Sequence, residues 1–535
     1  MSQPLRKRGI NVPTSIYDSG IHKNVDDIHY NNSTFRPRRS TKLSRYISSI
    51  KLGHLMLVSF LWLITLFYFQ RIKPGHAIDE CEWSKWEHFG TDAEPHRVLL
   101  IADPQIVDDH TYPSRPRWIQ YITKKISDNY MSINYKHMQE KLRPHSTIFL
   151  GDLFDGGREW HDDKKWYDEW KRFNRMFPSY PNRKFYYNIL GNHDAGWDKT
   201  MNRTILDRFK VIFGDSNDYQ NIGNHTFLFL DTIALSATNN NDSSIVEEAR
   251  YYLNNLTESF LPELDSIQVS KNQNLFPRVL LTHVPFFRDP AQQPCRGPRE
   301  NKKPFPLVNG GTFQTVLFPD LSNELLNKLQ PEIIFSGDDH DYCEIDHMYI
   351  VNKKRAGADT SNKQTREITV KSFSMNMGVR YPAAQLLSLY NPLDRPVSQT
   401  YQTEICYPYA PFVTLYSYGF LLLVTIIHWV LVSICPSTFI KIQLALYKCF
   451  KHLLPKSLIS KYSSMGGIYT DKKYEDDLNT PFSPESLKFY EDGYDLERIT
   501  SGKGLKPRDS RGFWVNFTTQ LLVIYLLFSY FYITV

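Results

Sequence analysis

Three stretches of this 535-residue chain carry no charged side chain: Leu52 to Gln70, Phe412 to Cys435 and Gly512 to Val535. A hydrocarbon core of about 30 Å is crossed by roughly 20 helical residues, so each run is long enough to span a bilayer. The remaining chain must then be divided between two aqueous compartments. Fifty residues precede the first run, too many for the charged start of a signal peptide, and no small-residue cleavage site follows it. It reads as an uncleaved anchor. The third run is aromatic throughout, which leaves a hairpin lying in the membrane interface as the alternative to a full span.

Charge sets the expected orientation. Of the chain's formal +6, residues 1–51 hold +7 and residues 436–511 hold +3, which leaves −4 for residues 71–411. Basic segments stay on the cytosolic side. The expected domains are therefore a disordered basic tail (1–51) and a 436–511 loop in the cytosol, spans at 52–70, 412–435 and 512–535, and a lumenal domain at 71–411. Basicity confined to the tails gives no support to a nucleic-acid-binding face. The sequons at Asn202, Asn224, Asn241 and Asn255 all fall within 71–411, as do Cys81, Cys295, Cys343 and Cys406. Disulfides form in such compartments, and three pairings of the four cysteines remain open. Cys435 and Cys449 are expected as free thiols.

Within 71–411, short β-rich runs each end in polar residues. Arg97-Val-Leu-Leu-Ile-Ala runs into Asp103-Pro-Gln105, and Thr147-Ile-Phe-Leu into Gly151-Asp152-Leu-Phe-Asp155. Phe185-Tyr-Tyr-Asn-Ile-Leu runs into Gly191-Asn192-His193-Asp194, Val279-Leu-Leu-Thr into His283, and Ile333-Ile-Phe-Ser into Gly337-Asp338-Asp339-His340. Trp118 to Lys141 has helical spacing, so strand–helix–strand order fits. Ligands collect at the carboxyl ends of strands in α/β folds. A single Gly-Asp after a strand is usually a turn, and a lone His is usually a core residue. Five such ends in one domain point instead to a shared site.

Oxygen and imidazole ligands, with one carboxylate to bridge, suit a pair of divalent ions. Such a pair clamps a phosphoryl group and generates hydroxide for in-line attack. The motif order D-x-Q, GDxxD, GNHD, a lone His and a final G-x-x-H resembles the calcineurin-like metallophosphoesterases over about residues 95–350. The strings ADPQIVDDHTYP, GDLFDGGREW and SGDDHDYCE resemble a narrower membrane-anchored group, the fungal cell division control protein 1 and animal post-GPI-attachment factor 5 group. The resemblance implies a four-layer α/β/β/α phosphoesterase domain, and the three apolar runs add three transmembrane helices to it. It also implies two divalent ions, Mn²⁺ in that group, and removal of ethanolamine phosphate from mannose of glycosylphosphatidylinositol (GPI) anchors. The expected partner is accordingly a GPI-anchored protein or GPI glycolipid, met in the endoplasmic reticulum or Golgi membrane.

By the same resemblance Asp103 and His340 hold the first ion, Asp152 bridges, and Asn192, His283 and Asp338 hold the second. His193 protonates the leaving group, and Asp155 and Asp194 orient their neighbours. Gln105 and Asp338 replace histidines of the wider family pattern; Gln105 is read as a weak ligand or a holder of water. These oxygen groups favour Mn²⁺ over Zn²⁺. The aromatic stretch 156–180 is read either as a sugar-stacking rim or as a packed helix, and residues from Lys371 as a strand. A phosphatase acting on another phosphoester, and a non-catalytic Mn²⁺ sensor, are the competing functions.

Overall fold

The computed structural model describes residues 50–271, 275–351, 361–435 and 510–533. The expected basic tail, most of the 436–511 loop, and Cys449 lie outside the described residues.

Among the described residues, eleven strands form two sheets: β1 (His96–Ile101), β2 (Ser146–Phe149), β3 (Lys184–Tyr186), β4 (Asp218–Ile222), β5 (His225–Phe229), β6 (Arg278–Leu281), β7 (Ile333–Ser336), β8 (Cys343–Val351), β9 (Ser361–Thr369), β10 (Ala384–Leu389) and β11 (Tyr401–Cys406). The first sheet has the order β11-β10-β1-β2-β3 and the second β4-β5-β6-β7-β9-β8. β1, β2 and β3 run parallel, as do β5, β6, β7 and β9, while β4, β8, β10 and β11 pair antiparallel at the edges.

Alternation along the strands explains the layers. Side chains of period two point to opposite faces. Val98 and Leu100 of β1 thus share one cluster with Phe227, Phe229, Val279, Leu281, Ile333 and Phe335 of the other sheet. That cluster is the seam between the sheets. Leu99 and Ile101 point the other way and join the helix-covered cluster. There the ring of Phe149 meets Tyr135 and Phe173, from helices Arg117–His137 and Asp163–Met176. On the second sheet Leu228, Leu280 and Ile334 share a cluster with Ala249, Leu253, Leu321 and Leu325 of the crossover helices. The layers are therefore α/β/β/α.

Among the described residues, three helices, Leu52–Asp79, Pro411–Ile434 and Gly512–Tyr532, are long and apolar enough to cross a membrane. This is a membrane protein. Val58, Trp62, Leu66, Phe69, Tyr418, Ile524 and Phe531 pack the three together. Polar groups lock them: the Trp62 indole donates to the Thr425 hydroxyl at 3.0 Å, and the Gln70 amide to Tyr418 at 3.0 Å and Tyr532 at 3.2 Å. Such bonds hold helices where apolar lipid offers no competing partner. The third run is one continuous helix, Ser510–Ile533, rather than a hairpin.

Two disulfides resolve the open pairing: Cys81–Cys406 ties the segment leaving the first apolar helix to β11, and Cys295–Cys343 ties the 286–318 excursion to β8. Cys435 is free and exposed. The expected strand from Lys371 is not formed. β9 stops at Thr369, and only Ser372 bridges, to Ala102. The Ser372 hydroxyl instead donates to the backbone oxygen of Asp103 at 2.8 Å, so this segment braces the turn after β1 rather than extending the sheet.

Candidate metal centre

The parallel strands deliver their polar ends to one place. After β1, β2 and β7 the chain turns away sharply, through the left-handed region at Asp103 (φ 47°), Gln105 (31°), Asp152 (50°), Asp338 (67°) and His340 (65°). Non-glycine residues avoid this region, and where they occupy it the strain commonly marks a functional site. Two glycines are required by the closeness of approach. A Cβ on Gly191 would lie 1.9 Å from Oδ1 of Asp152, and one on Gly151, at φ 92°, would lie 2.6 Å from Nδ1 of His283.

Asp103, Asp152 and His283 bring ligand atoms within 4.8 Å of one another, all buried. Nε2 of His283 lies 3.3 Å from Oδ1 of Asp152 and 3.5 Å from Oδ1 of Asp338. Nδ1 of His283 sits 2.8 Å from the backbone oxygen of Leu150. A carbonyl only accepts, so Nδ1 carries the proton and Nε2 offers its lone pair to the centre. The Asn192 amide nitrogen donates to the backbone oxygen of Thr312 at 3.3 Å, which leaves its oxygen facing inward.

Four buried atoms here have no hydrogen-bond partner: Oδ2 of Asp103, Oε1 of Gln105, Oδ1 of Asn192 and Nε2 of His283. Buried polar atoms are rarely orphaned, and each instance calls for an explanation such as an ion. Three are hard oxygen donors and one is an imidazole nitrogen, a set that suits a divalent cation.

The electrostatics agree. Burial raises the carboxyl of Asp103 far above its usual range, with Asp152 and Asp338 adding to it and His283 opposing. Burial also works against the charge of Asp152, but His283 and His193 outweigh it and hold that carboxyl below the usual range. Burial alone would lower His283; Asp152, Asp338 and Asp103 reverse this and raise it. Clustered acids here demand positive charge. His340 is held below its usual value by burial, against the pull of Asp338 and Asp152, and a neutral imidazole is the form that binds metal.

Neighbours hold these groups in place. The backbone N–H of His193 donates to Oδ1 of Asp152 at 2.9 Å, and Nδ1 of His193 sits 2.6 Å from the backbone oxygen of Asp155. By the same donor logic Nε2 of His193 is the ring nitrogen available to a substrate. The carboxylate of Asp194 accepts the N–H groups of Leu153 (3.2 Å), Phe154 (3.0 Å) and Gly191 (2.9 Å), strapping the loops after β2 and β3 together. Burial, then Asp152, pushes its carboxyl up to about 7.

Residues 96–342 match the Calcineurin-like phosphoesterase family. The chain is 45% identical over 378 residues to Cell division control protein 1 of Saccharomyces cerevisiae, covering 69% of this chain and 72% of that protein. The chain belongs to the calcineurin-like phosphoesterase family. It is also 27% identical over 283 residues to Metallophosphoesterase 1 of Rattus norvegicus (50% of this chain, 66% of that protein) and 26% over 338 residues to that of Xenopus laevis (58% and 77%). As a calcineurin-like phosphoesterase it is a metal-dependent phosphoric ester hydrolase, and the fold implies divalent ions at the centre.

The aromatic stretch 156–180 resolves toward packing in this family member. Trp160, Trp166 and Phe173 are buried in the core, so those tryptophans present no face to a sugar. Two neighbours escaped the sequence reading. Arg158 donates to the backbone oxygen of Asn192 at 3.1 Å, and Thr312 holds the Asn192 side chain from 120 residues away. The Gly310-Gly311 pair, a turn signal before Thr312, was the available sign of a tip able to reach inward.

Proposed function

We propose that this hydrolase is a dinuclear phosphodiesterase that uses Mn²⁺ to remove ethanolamine phosphate from mannose of GPI-anchor glycans, with its catalytic domain lumenal in the endoplasmic reticulum or Golgi. The observation that carries the dinuclear reading is the convergence of four orphaned donor atoms around the buried carboxylates of Asp103 and Asp152 and the imidazole of His283. In this reading Asp103 and His340 hold one ion, Asn192, His283 and Asp338 the other, and Asp152 stands between them. Two ions so held would polarise the phosphoryl oxygens and supply a hydroxide nucleophile. In its doubly protonated form His193 gives its Nε2 proton to the departing sugar alkoxide, while Nδ1–H stays bonded to the Asp155 carbonyl and fixes the ring. Asp194 keeps the two loops in register.

The substrate class draws support from two directions. The sequence resembles the GPI-remodelling group through its ADPQIVDDHTYP and SGDDHDYCE strings, and the apolar helices on both sides of the phosphoesterase domain keep its site beside a bilayer, where lipid-anchored glycans lie. Mn²⁺ draws support from the oxygen-rich donor set. Mass analysis of GPI glycans from cells with and without the protein tests the substrate. Retention of ethanolamine phosphate on mannose in its absence is expected. Unchanged glycans would direct the hydrolase to another phosphoester.

A further inference from the structure

The long helix Arg117–His137 follows directly from the first site motif, and its two halves have different surroundings. The second half is buried, with Tyr130, Met131 and Tyr135 in the core. The first half carries large apolar side chains in the open: Trp118 is 66% exposed, Tyr121 62% and Ile122 46%.

Direction comes from Asn129. Its side chain donates to Oε1 of Gln70 at 2.6 Å, and Gln70 also binds Tyr418 and Tyr532, the domain-proximal ends of the other two apolar helices. Beyond this level the two segments rise together. Gly75 packs against His137 and Lys141, Asp79 pairs with Lys141 at 2.5 Å, and the Trp83 indole donates to the Leu142 oxygen at 2.7 Å. Both therefore leave the membrane in the same direction, and the long helix traced backwards from Asn129 heads toward the bilayer. At 3.6 residues per turn, Trp118, Ile122 and Lys125 fall within about 40° of Asn129 around the axis, and Tyr121 within about 80°. Trp118 stands about 16 Å along the axis from Asn129. The face that meets the apolar bundle is thus the face that carries the exposed aromatics.

We propose that the first half of this helix is a lipid-binding foot, its Trp118–Tyr121–Ile122 face seated in the headgroup region of the membrane that the chain itself crosses. The composition suits that zone. Trp and Tyr favour the interface, and Arg115, Arg117 and Lys125 provide cations for lipid phosphates. Arg115 lies 3.5 Å over the Tyr112 ring, so the preceding turn adds a further aromatic–basic pair. The foot is coupled to the site. Lys124 pairs with Asp109 at 2.7 Å, and Arg172 binds both Asp128 and the backbone oxygen of Val107, four residues beyond Asp103. Seating the helix fixes the height of the metal loop above the bilayer.

The test uses the full chain in phosphatidylcholine nanodiscs, with Cys435→Ser and Cys449→Ser removing the background thiols. Single nitroxides are placed at Trp118→Cys, Ile122→Cys and Lys136→Cys. Lys136 is exposed on the same face but on the far side of Asn129 from the bilayer. Labels at 118 and 122 are expected to collide more with oxygen than with a water-soluble nickel chelate, and the label at 136 to show the reverse. Equal nickel access at 122 and 136 would overturn the proposal, as would shielding of 118 and 122 from both reagents, which is the sign of a protein partner. Hydrolysis of bis(p-nitrophenyl) phosphate by each labelled variant reports folding; loss of it in the 118 and 122 variants alone would show that this face supports the fold and not a lipid contact.

Discussion

Gln105 donates its side-chain amide to Oδ2 of Asp152 across 2.5 Å. Its own oxygen is left buried and without a partner. In the wider family pattern a histidine stands here, and Asp338 likewise replaces one. The amide orients the central carboxylate while offering only a weak oxygen donor, and Asp338 adds a charged oxygen near His283. Borderline Zn²⁺ gains most from imidazole, whereas Mn²⁺ accepts oxygen readily. The hydrolase should therefore run better with Mn²⁺ than with Zn²⁺. Gln105→His with Asp338→His should shift that ratio toward Zn²⁺ while keeping the ions bound. The measurement is activity of metal-stripped protein titrated with each ion; equal ratios in wild type and double variant would remove both residues from the choice of metal.

Asp194→Ala leaves three buried backbone N–H groups without an acceptor. Each unsatisfied group costs about 1–3 kcal/mol, so a clear drop in denaturation midpoint should accompany loss of activity. Asp194→Asn retains an acceptor oxygen and should recover part of both. Identical midpoints for wild type and Asp194→Ala would show that the strap contributes nothing.

His193→Ala removes the proposed proton donor and spares the backbone N–H that holds Asp152. Metal content should persist while turnover of an ester with a poor leaving group falls about 10²–10⁴-fold. An activated nitrophenyl ester, whose leaving group needs no proton, should be affected far less. Equal losses on both esters would assign His193 to binding rather than to proton transfer.

Gly191→Ala tests how tightly the loops meet. The added methyl would collide with Oδ1 of Asp152, and overpacking of this kind costs about 1–3 kcal/mol. Displacement of the carboxylate should lower metal affinity in calorimetric titration. Gly311→Ala, where a Cβ meets nothing within 4 Å, is the matched control.

The site was legible in sequence where its signals are local. Each ligand motif follows an apolar run, and the run's alternation places it in a sheet whose ends converge. Lys371 to Met377 misled because polar and apolar residues alternate there too, yet Ser372 finds its partner at Ala102 rather than in a strand. Trp160 and Trp166 carry the same composition whether they stack on sugar or fill a core; only the position of helix Asp163–Met176 decides. Arg158 to Asn192, Thr312 to Asn192 and Asn129 to Gln70 are contacts between distant segments, and no periodicity announces them.

In the proposed centre Asp152 stands between two divalent ions that the hydrolase requires. Metal content and phosphodiester turnover of the purified full chain, wild type beside Asp152→Asn, test it most directly. Wild type should hold two ions per chain and lose turnover on chelation, with recovery on adding Mn²⁺. Asp152→Asn should hold fewer than one ion and remain inactive. Two ions retained by Asp152→Asn, or wild-type turnover indifferent to chelation, would contradict the account.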